Sequence, residues 1–213
     1  VSINDAAKAI ALTGDVNSIL LQGEPGVGKS SILKGLRTML GDGYEYIYFD
    51  CALKEPGDVS MNIPVHSHKR LEQYISDQFD FSKGKPFVVM LDEYMKAPKL
   101  MQVMFTRLVL ERCVGDKALP PGSIVFGTSN NQSDGVGDAI LAHSANRMTI
   151  IKVRKPSAAE WCIWASENGI SSTIRAWVSM TSKVLASYTT LDQKELDDNP
   201  FIFNPKKPQL SFV

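Results

Sequence analysis

The sequence contains no apolar run long enough to cross a membrane. Its longest apolar runs, such as Phe87–Leu91, are the length of one strand and fall far short of the ~18 residues that a spanning helix needs. Repeats and low-complexity segments are also absent. With 44% apolar and 22% charged residues over 213 positions, the composition is that of an ordinary globular protein, and we expect no membrane association.

An excess of either charge is lacking too. Lys and Arg together number 23, as do Asp and Glu, so the formal net charge is zero. No run of basic residues stands out along the chain. Because nucleic-acid-binding proteins usually carry a basic excess or a basic patch, the balance argues against DNA or RNA as the main partner.

Cysteine is scarce and has no paired spacing, which disfavours a disulfide scaffold. The three cysteines are Cys51, Cys113 and Cys162. We expect free, mostly buried thiols in a reducing cytosol, and hence a cytoplasmic protein. His66 and His68, with Cys51 and Asp58 nearby, are an alternative metal site. Their spacing lacks the paired ligands of structural zinc and favours a solvated loop.

What the sequence does contain is an alternation of strands and helices. Five apolar segments predict strands: "NSILLQ", "YEYIYFD", "KPFVVMLDE", "GSIVFGTSN" and "RMTIIKVRK". Such alternation predicts parallel pairing, with ligands at the carboxyl ends of the strands. After Pro156 only helical patterns follow. We therefore expect an α/β domain over residues 1–153 and a small helical appendage, which we call the lid, over 154–213.

Helical spacing of apolar residues predicts the helices. In the α/β part they are "INDAAKAIALTG", "KSSILKGLRTML", "HKRLEQYISDQF", "PKLMQVMFTRLVLERC" and the short "VGDAILAHSAN". In the lid they are "SAAEWCIWASENG" and "STIRAWVSMTSKVLAS". We expect Trp161, Trp164 and Trp177 to form the small core of the lid, and the Pro- and Asn-rich tail to lack regular structure.

The segment "GEPGVGKS" matches the phosphate-loop pattern G-x-x-x-x-G-K-[ST] between a predicted strand and a predicted helix. Its glycines let backbone N–H groups point at phosphate oxygens, beside a helix N-terminus that favours anions. Lys29 is expected to reach the β- and γ-phosphates, and Ser30 to ligate Mg²⁺. The predicted nucleotide-binding residues are Gly23, Glu24, Pro25, Gly26, Val27, Gly28, Lys29, Ser30, Ser31 and Asp92.

Polar residues end the two following buried strands. Asp92 and Glu93 come directly after the apolar "FVVML". Asp92 is placed to hold Mg²⁺ together with Ser30, and Glu93 to orient or polarise an attacking water, which favours ATP hydrolysis. Thr128 and Asn130 end the next strand. The Asn130 amide is suited to bridge the γ-phosphate and the lytic water.

Taken in order, "GEPGVGKS", "MLDEY", "LPPGSIVFGTSN" and "AHSANRM" resemble the AAA+ ATPases, and more closely the MoxR branch with its phage-encoded relatives. The resemblance covers essentially the whole chain. It implies an α/β P-loop NTPase body with a mostly parallel five-stranded sheet between helices, followed by a helical lid. The segment "GDKALPPGS" falls where that branch has an extra hairpin.

The resemblance also implies roles and partners. Asn130 matches the first sensor, and Arg147 matches an arginine finger that reaches the nucleotide of a neighbouring subunit; a local ion pair, for example with Asp138, is the alternative for Arg147. The family forms homo-oligomeric rings, expected here to be hexameric. They use ATP and Mg²⁺ to remodel or activate a protein, commonly with a von Willebrand A-type partner.

Three points stay open at this stage. The family usually has a second sensor Arg at the start of a later lid helix. Arg175 lies in a different helix and does not match it, so we expect the lid to be incomplete at Val213. A nucleotide-dependent assembly switch or scaffold with little turnover is therefore an alternative to a motor. A GTPase is another, since "NQSD" imitates a guanine-reading tetrapeptide, although "DEYM" lacks the glycine that a GTPase has after its third strand.

Overall fold

A computed structural model describes residues 1–67, 69–131, 147–202, 204, 206 and 207. Its strands are β1 Ile19–Gly23, β2 Glu45–Asp50, β3 Ser60–Val65, β4 Arg70–Ile75, β5 Phe87–Asp92, β6 Cys113–Val114, β7 Lys117–Ala118, β8 Ile124–Ser129 and β9 Thr149–Val153. Its helices are α1 Ile3–Thr13, α2 Ile32–Leu40, α3 Lys99–Glu111, α4 Ala158–Glu167, α5 Ser172–Met180 and α6 Gln193–Asp197. No helix among these residues is both long enough and apolar enough to cross a membrane.

The five predicted strands form one sheet, and that prediction is confirmed. The order across the sheet is β2-β5-β8-β1-β9, and every neighbouring pair is parallel. The central strands β5 and β8 are buried along their whole length. Because the strands are parallel, their carboxyl ends, which carry the predicted site residues, lie at one edge of the sheet.

Successive side chains along the sheet strands alternate between two hydrophobic cores, one on each face of the sheet. On β5, Val89 and Leu91 pack in the core that includes Phe105 of α3. Val88 and Met90 pack in the other core, with α1 and α2. This period of two on a strand covered on both faces explains why its sequence is a continuous apolar run.

The helix predicted over His68–Phe79 is wrong. The strands Ser60–Val65 and Arg70–Ile75 pair as an antiparallel hairpin, β3 with β4, with Ser60 opposite Ile75 and Val65 opposite Arg70. The spacing of Leu71, Tyr74 and Ile75 imitates a helix, but Leu71 and Tyr74 are exposed and find no core that a helix face would need. Pairing with the preceding strand decided the structure instead of local periodicity.

A second, shorter hairpin lies between α3 and β8. Strand β6 pairs with β7, and Cys113 is opposite Ala118. It overlaps the "GDKALPPGS" segment in which an extra hairpin was expected. The short helix expected over 136–146 lies outside the described residues.

The C-terminal part is helical in its described residues, as expected, but its tryptophans do not form its core. Trp164 and Trp177 are almost half exposed. Trp161 and Trp164 contact one another, and Trp177 packs edge-on against Phe201. The buried cluster of this part consists of Tyr188, Leu196 and Ile202. The prediction of a tryptophan core is therefore wrong, because Trp164 and Trp177 are exposed and, among the described residues, no tryptophan belongs to the buried cluster. Beyond α6, the described residues have no regular element, as expected for the tail.

Two leucines on helices allow a matched test of this packing. Leu36 on α2 is 0% exposed within the α1–α2 core, whereas Leu12 on α1 is 80% exposed. We expect Leu36→Ala to lower the free energy of unfolding by about 2–5 kcal/mol, because it leaves a cavity. Leu12→Ala should change it by no more than about 0.5 kcal/mol. Urea denaturation of the two variants measures both values, and equal effects would contradict the assigned core.

Candidate functional site

The phosphate loop leaves the carboxyl end of β1 and enters α2 through the short 3₁₀ turn Lys29–Ser31. Gly26 and Gly28 have φ angles of 73° and 93°, a backbone conformation that glycine adopts most readily. At Gly23 an added Cβ would lie 2.8 Å from the carbonyl oxygen of Val153 on β9. The glycines therefore serve the loop's curvature and its close approach to the neighbouring strand.

Lys29 is buried inside this loop. Its Nζ donates hydrogen bonds to the carbonyl oxygens of Gly23 and Glu24, both at 2.8 Å. It also donates to Oδ1 of Asn130 at 3.0 Å. The ammonium group therefore joins the start of the loop to the end of β8, and brings together two residues that are 101 positions apart.

Asp92 is the centre of a hydrogen-bond cluster at the same edge of the sheet, and it is only 5% exposed. Its Oδ2 accepts hydrogen bonds from Ser30 Oγ at 2.9 Å and from Tyr48 Oη at 2.8 Å. Its Oδ1 accepts from the Thr128 hydroxyl and, at 3.2 Å, from the backbone N–H of Glu93. Both oxygens are thus held, which fixes the orientation of the carboxylate.

Tyr48 was not identified from the sequence as part of this site. It lies on β2 and reaches Asp92 from the strand next to β5. Burial, the hydrogen bond to Asp92 and nearby carboxylates raise the pKa of Tyr48 well above its usual range. Its hydroxyl therefore stays protonated and acts as a donor. The only signal in the sequence is the aromatic alternation of "YEYIYFD", which does not separate a site tyrosine from packing residues.

Glu93 has an unusual backbone conformation. Its φ and ψ angles are 50° and 38°, in the left-handed region that non-glycine residues seldom occupy. Its backbone N–H donates to Oδ1 of Asp92 and to Oγ1 of Thr128, both at 3.2 Å. Its carboxylate lies 2.6 Å from Lys96 Nζ. In this arrangement the acid predicted to activate water is paired with a lysine three residues later.

These groups surround one cleft of about 320 Å³. The polar side chains that line it are Lys29, Ser30, Ser31, Asp92, Glu93, Thr128, Ser129 and Asn130. The loop residues Pro25, Gly26 and Gly28 complete the lining. Two carboxylates, one ammonium and a set of hydroxyl and backbone groups in a cleft at a helix N-terminus are suited to an anionic ligand with a divalent cation.

A second cavity of about 350 Å³ adjoins the first, since Gly26, Gly28 and Ser31 line both. Its other walls are mostly apolar and come from the start of α1, from Val27 and from α4. They include Ile3, Val27, Pro156, Trp161 and Trp164. An apolar cavity that joins a polar one is the arrangement that a ligand with both a flat ring system and phosphates requires. The two tryptophans were assigned to the lid core from sequence, so this part of the site was missed.

The apolar cavity has a charged rim made by Arg154 and Glu160. The guanidinium NH1 donates to Glu160 Oε2 at 2.8 Å, and NH2 donates to Oε1 at 2.6 Å. Glu160 also caps the start of α4 in a reciprocal box with Ser157. The Arg154 hydrogen bond, with help from Ser157, lowers the pKa of Glu160 to about 2. This pair links the start of α4, the helix that carries Trp161, to the residue that follows β9.

The structure brings most of the predicted site residues together. Lys29, Ser30, Asp92, Glu93 and Asn130 line the polar cleft. The side chain of Glu24 is an exception, because it contacts Lys155 and Ser187. Arg147 is a second exception, since it is exposed and is not among the residues that line the cleft.

Two alternatives from the sequence can be compared with the structure only in part. The described residues contain no group of three or more His, Cys, Asp or Glu side chains placed to hold a metal ion, so His66, Cys51 and Asp58 do not form one. His68 lies outside the described residues. The same is true of residues 132–134 of the guanine-like tetrapeptide and of Asp138, the alternative partner of Arg147.

No family model and no curated protein matches the sequence. Solved structures that match the fold are numerous. One is a putative ATPase from Cytophaga hutchinsonii, with a TM-score of 0.53 and 18% sequence identity over 80% of this chain and 50% of that one. The chain thus spans about half the length of that protein. At this identity the likeness shows the fold, an α/β fold with a mostly parallel five-stranded sheet and flanking helices.

The residues present fit a nucleotide and Mg²⁺. Ser30 Oγ and Asp92 Oδ2 are hard oxygen donors 2.9 Å apart, the type of ligand that Mg²⁺ takes from proteins. Gly26 and Gly28 leave the loop without side chains where phosphate oxygens would approach its backbone N–H groups. The fit rests on the chemistry of these donors.

The Arg154–Glu160 pair gives a test of the electrostatics of this site. In Arg154→Met we expect the pKa of Glu160 to rise from about 2 towards its ordinary value of 4.5, because the largest cause of the lowering is removed. A lowered pKa means that ionised Glu160 stabilises the fold above its ordinary pKa. This contribution is lost as the pH falls towards 2, and the variant should therefore lose less stability over that range.

The pKa can be followed by carboxyl-carbon NMR during a pH titration. Arg107→Met, which removes the exposed pair of Arg107 with Glu111, is the matched control and should leave Glu160 unchanged. An unaltered pKa of Glu160 in Arg154→Met would contradict the assigned pair.

Proposed function

We propose that the chain binds ATP with Mg²⁺ in the polar cleft and hydrolyses it, as a MoxR-like AAA+ protein that forms a ring and remodels or activates a protein partner. One observation carries the proposal. Lys29, Ser30, Asp92, Glu93 and Asn130, which are spread over more than 100 residues of sequence, line a single cleft at the carboxyl edge of the sheet. The motif order and the fold of the solved ATPase-like structure support the same function.

Each residue has a task that follows from its chemistry. Lys29 neutralises phosphate charge, while the loop backbone donates to phosphate oxygens. Ser30 and Asp92 hold Mg²⁺, which neutralises charge on the phosphates. Glu93 orients the attacking water and accepts its proton, and Asn130 holds that water against the γ-phosphate. The apolar cavity with Trp161 and Trp164 would take the base by stacking.

A ring accounts for the position of Arg147. The residue is exposed and does not line the cleft of its own chain. A guanidinium supplied by a neighbouring subunit can stabilise charge on the transferred phosphoryl group, with effects of about a thousandfold or more on rate. We therefore propose a homo-oligomer, hexameric by family resemblance, in which Arg147 completes the next subunit's site. A protein substrate, or an adaptor of the von Willebrand A type, remains part of this proposal.

A second candidate function has its own support. Glu93 is paired with Lys96 at 2.6 Å, so its carboxylate already has a partner that competes with an attacking water. Lys29 is likewise satisfied by its own loop and by Asn130. A protein that keeps this arrangement after ATP binds would act as a nucleotide-dependent assembly switch with little turnover.

Glu93→Gln separates the two candidates. If the protein is an ATPase, this variant should still bind ATP but lose at least about 100-fold in turnover, because the base is removed and the shape is kept. Phosphate release measures the rate, and calorimetry measures binding. Lys96→Met is the informative partner variant, since it frees the Glu93 carboxylate and should maintain or raise turnover. Wild-type turnover as low as that of Glu93→Gln would instead favour the switch.

The ring proposal is tested by the dependence of activity on protein concentration. If each site is completed in trans, the ATPase rate per subunit should rise steeply with concentration and then saturate. Arg147→Ala should keep ATP binding and lose about a thousandfold in rate. The exposed Arg70→Ala, on the β3–β4 hairpin, is the matched control. A flat, appreciable rate per subunit, or full turnover in Arg147→Ala, would contradict completion in trans.

A further inference from the structure

Glu24 stands apart from the other residues of the phosphate loop. It is 7% exposed, and its carboxylate contacts two residues that come much later in the chain. Its Oε1 accepts a hydrogen bond from the Ser187 hydroxyl, across 163 positions. Its Oε2 lies 3.7 Å from the Nζ of Lys155, which follows β9. A loop residue is thus joined directly to the C-terminal helical part.

The Lys155 side chain is also largely buried, and it has two possible acceptors. Its Nζ donates to the carbonyl oxygen of Ala186 at 3.4 Å, which is a long hydrogen bond. Burial lowers the pKa of Lys155, and the nearby Glu24 carboxylate opposes that lowering. The lysine therefore lies between the phosphate loop and the turn formed by residues 186–190, which we call the Ser187 turn.

One oxygen of Glu24 lacks a hydrogen bond. Among the described residues, no donor lies within hydrogen-bond distance of Oε2, although the atom is buried. Buried carboxylate oxygens are almost always paired, so this one requires an explanation. A charge-assisted hydrogen bond has a length of about 2.8 Å, so an approach of about 0.9 Å by Lys155 would complete the pair. A movement of that size would leave both oxygens of the Glu24 carboxylate paired.

Nucleotide binding acts on the same loop segment. Lysine has three donors, and those of Lys29 face the carbonyl oxygens of Gly23 and Glu24 and the amide oxygen of Asn130. Phosphate oxygens that take a donor of Lys29 must weaken one of these bonds. Two of these acceptors, the carbonyl oxygens of Gly23 and of Glu24, lie on either side of the Glu24 Cα and accept hydrogen bonds from Lys29 Nζ. Binding of phosphate therefore changes the hydrogen bonding of the backbone that carries the Glu24 side chain.

We propose that Glu24 is a positioning residue that couples occupation of the phosphate loop to the helical part, through Lys155 and the Ser187 turn. In the nucleotide-free arrangement Lys155 is shared between Ala186 and Glu24. With phosphates bound, Lys155 closes onto Glu24 Oε2, and the Ser187 turn moves with it. The inference rests on the proposed function, since it needs a nucleotide in the cleft, and it adds a path by which that nucleotide would act on the helical part.

The chain supplies its own reporter for this movement. All three tryptophans, Trp161, Trp164 and Trp177, lie in the helical part. Trp161 and Trp164 line the apolar cavity and would sense the base directly. Trp177 packs on Phe201, in the helix just before the turn Ser182–Leu185. A background with W161F and W164F leaves Trp177 as the single emitter.

The experiment compares Glu24→Gln, Ser187→Ala and Lys155→Met in that background. ADP with Mg²⁺ is titrated, calorimetry measures its affinity, and Trp177 emission measures movement of the helical part. Lys183→Met is the matched control, because it removes the exposed pair of Lys183 with Glu195 in the same region without touching the loop. Circular dichroism checks that each variant folds. Glu24→Gln keeps the size and shape of the side chain, so it still tests the proposal if the other two variants do not fold.

We expect the parent and Lys183→Met to show a saturable change of Trp177 emission at the calorimetric half-point. Glu24→Gln, Ser187→Ala and Lys155→Met should still bind ADP, with affinity within about tenfold, but lose more than half of the emission change. If the change in Trp177 emission is undiminished in all three coupling variants, the coupling role of Glu24 is overturned. The same holds if the parent binds ADP without any change in emission. In both cases the proposed function itself still stands. Calorimetry on the unaltered protein, with all three tryptophans in place, tests the proposed function separately: if that protein does not bind ADP, the proposed function fails, and the coupling role fails with it.

Discussion

The buried carboxylate of Asp92 joins four separate parts of the chain at one point. Ser30 reaches it from the phosphate loop, Tyr48 from β2 and Thr128 from β8, while Asp92 itself ends β5. A buried charge is costly unless hydrogen bonds compensate for it, so the strand ends must remain in register for the carboxylate to be satisfied. This requirement aligns the edge of the sheet at the place where the cleft opens.

Lys29 satisfies the same requirement for the positive charge. Its ammonium group is held by two loop carbonyls and by Asn130. The loop is thus preorganised, since its backbone is curved around a cation before any ligand arrives. A ligand must offer acceptors at least as good as these to take over the lysine, and phosphate oxygens meet that condition where neutral groups do not. If the cleft binds a nucleotide as proposed, this competition would favour phosphates.

The sequence was sufficient for the parts that depend on local pattern. Five apolar strands, the glycine loop with Lys29 and the acids that end β5 each have a signature within a dozen residues, and parallel pairing then brings them together. The hairpin of β3 and β4 was missed because its pairing partner, not its own periodicity, decides its structure. Tyr48, Trp161 and Ser187 were missed because their importance comes from neighbours far along the chain. Nothing within their own segments distinguishes them.

The backbone at Glu93 has a consequence for how this chain can vary. A side chain in the left-handed region is strained by about 1–2 kcal/mol, and glycine would relieve most of that strain. Glu93→Gly would therefore be expected to raise the free energy of unfolding, while it removes the carboxylate that follows Asp92. A chain that retains glutamate there gives up stability for a carboxylate at the mouth of the cleft. Laboratory selection for stability alone would therefore be expected to favour Glu93→Gly.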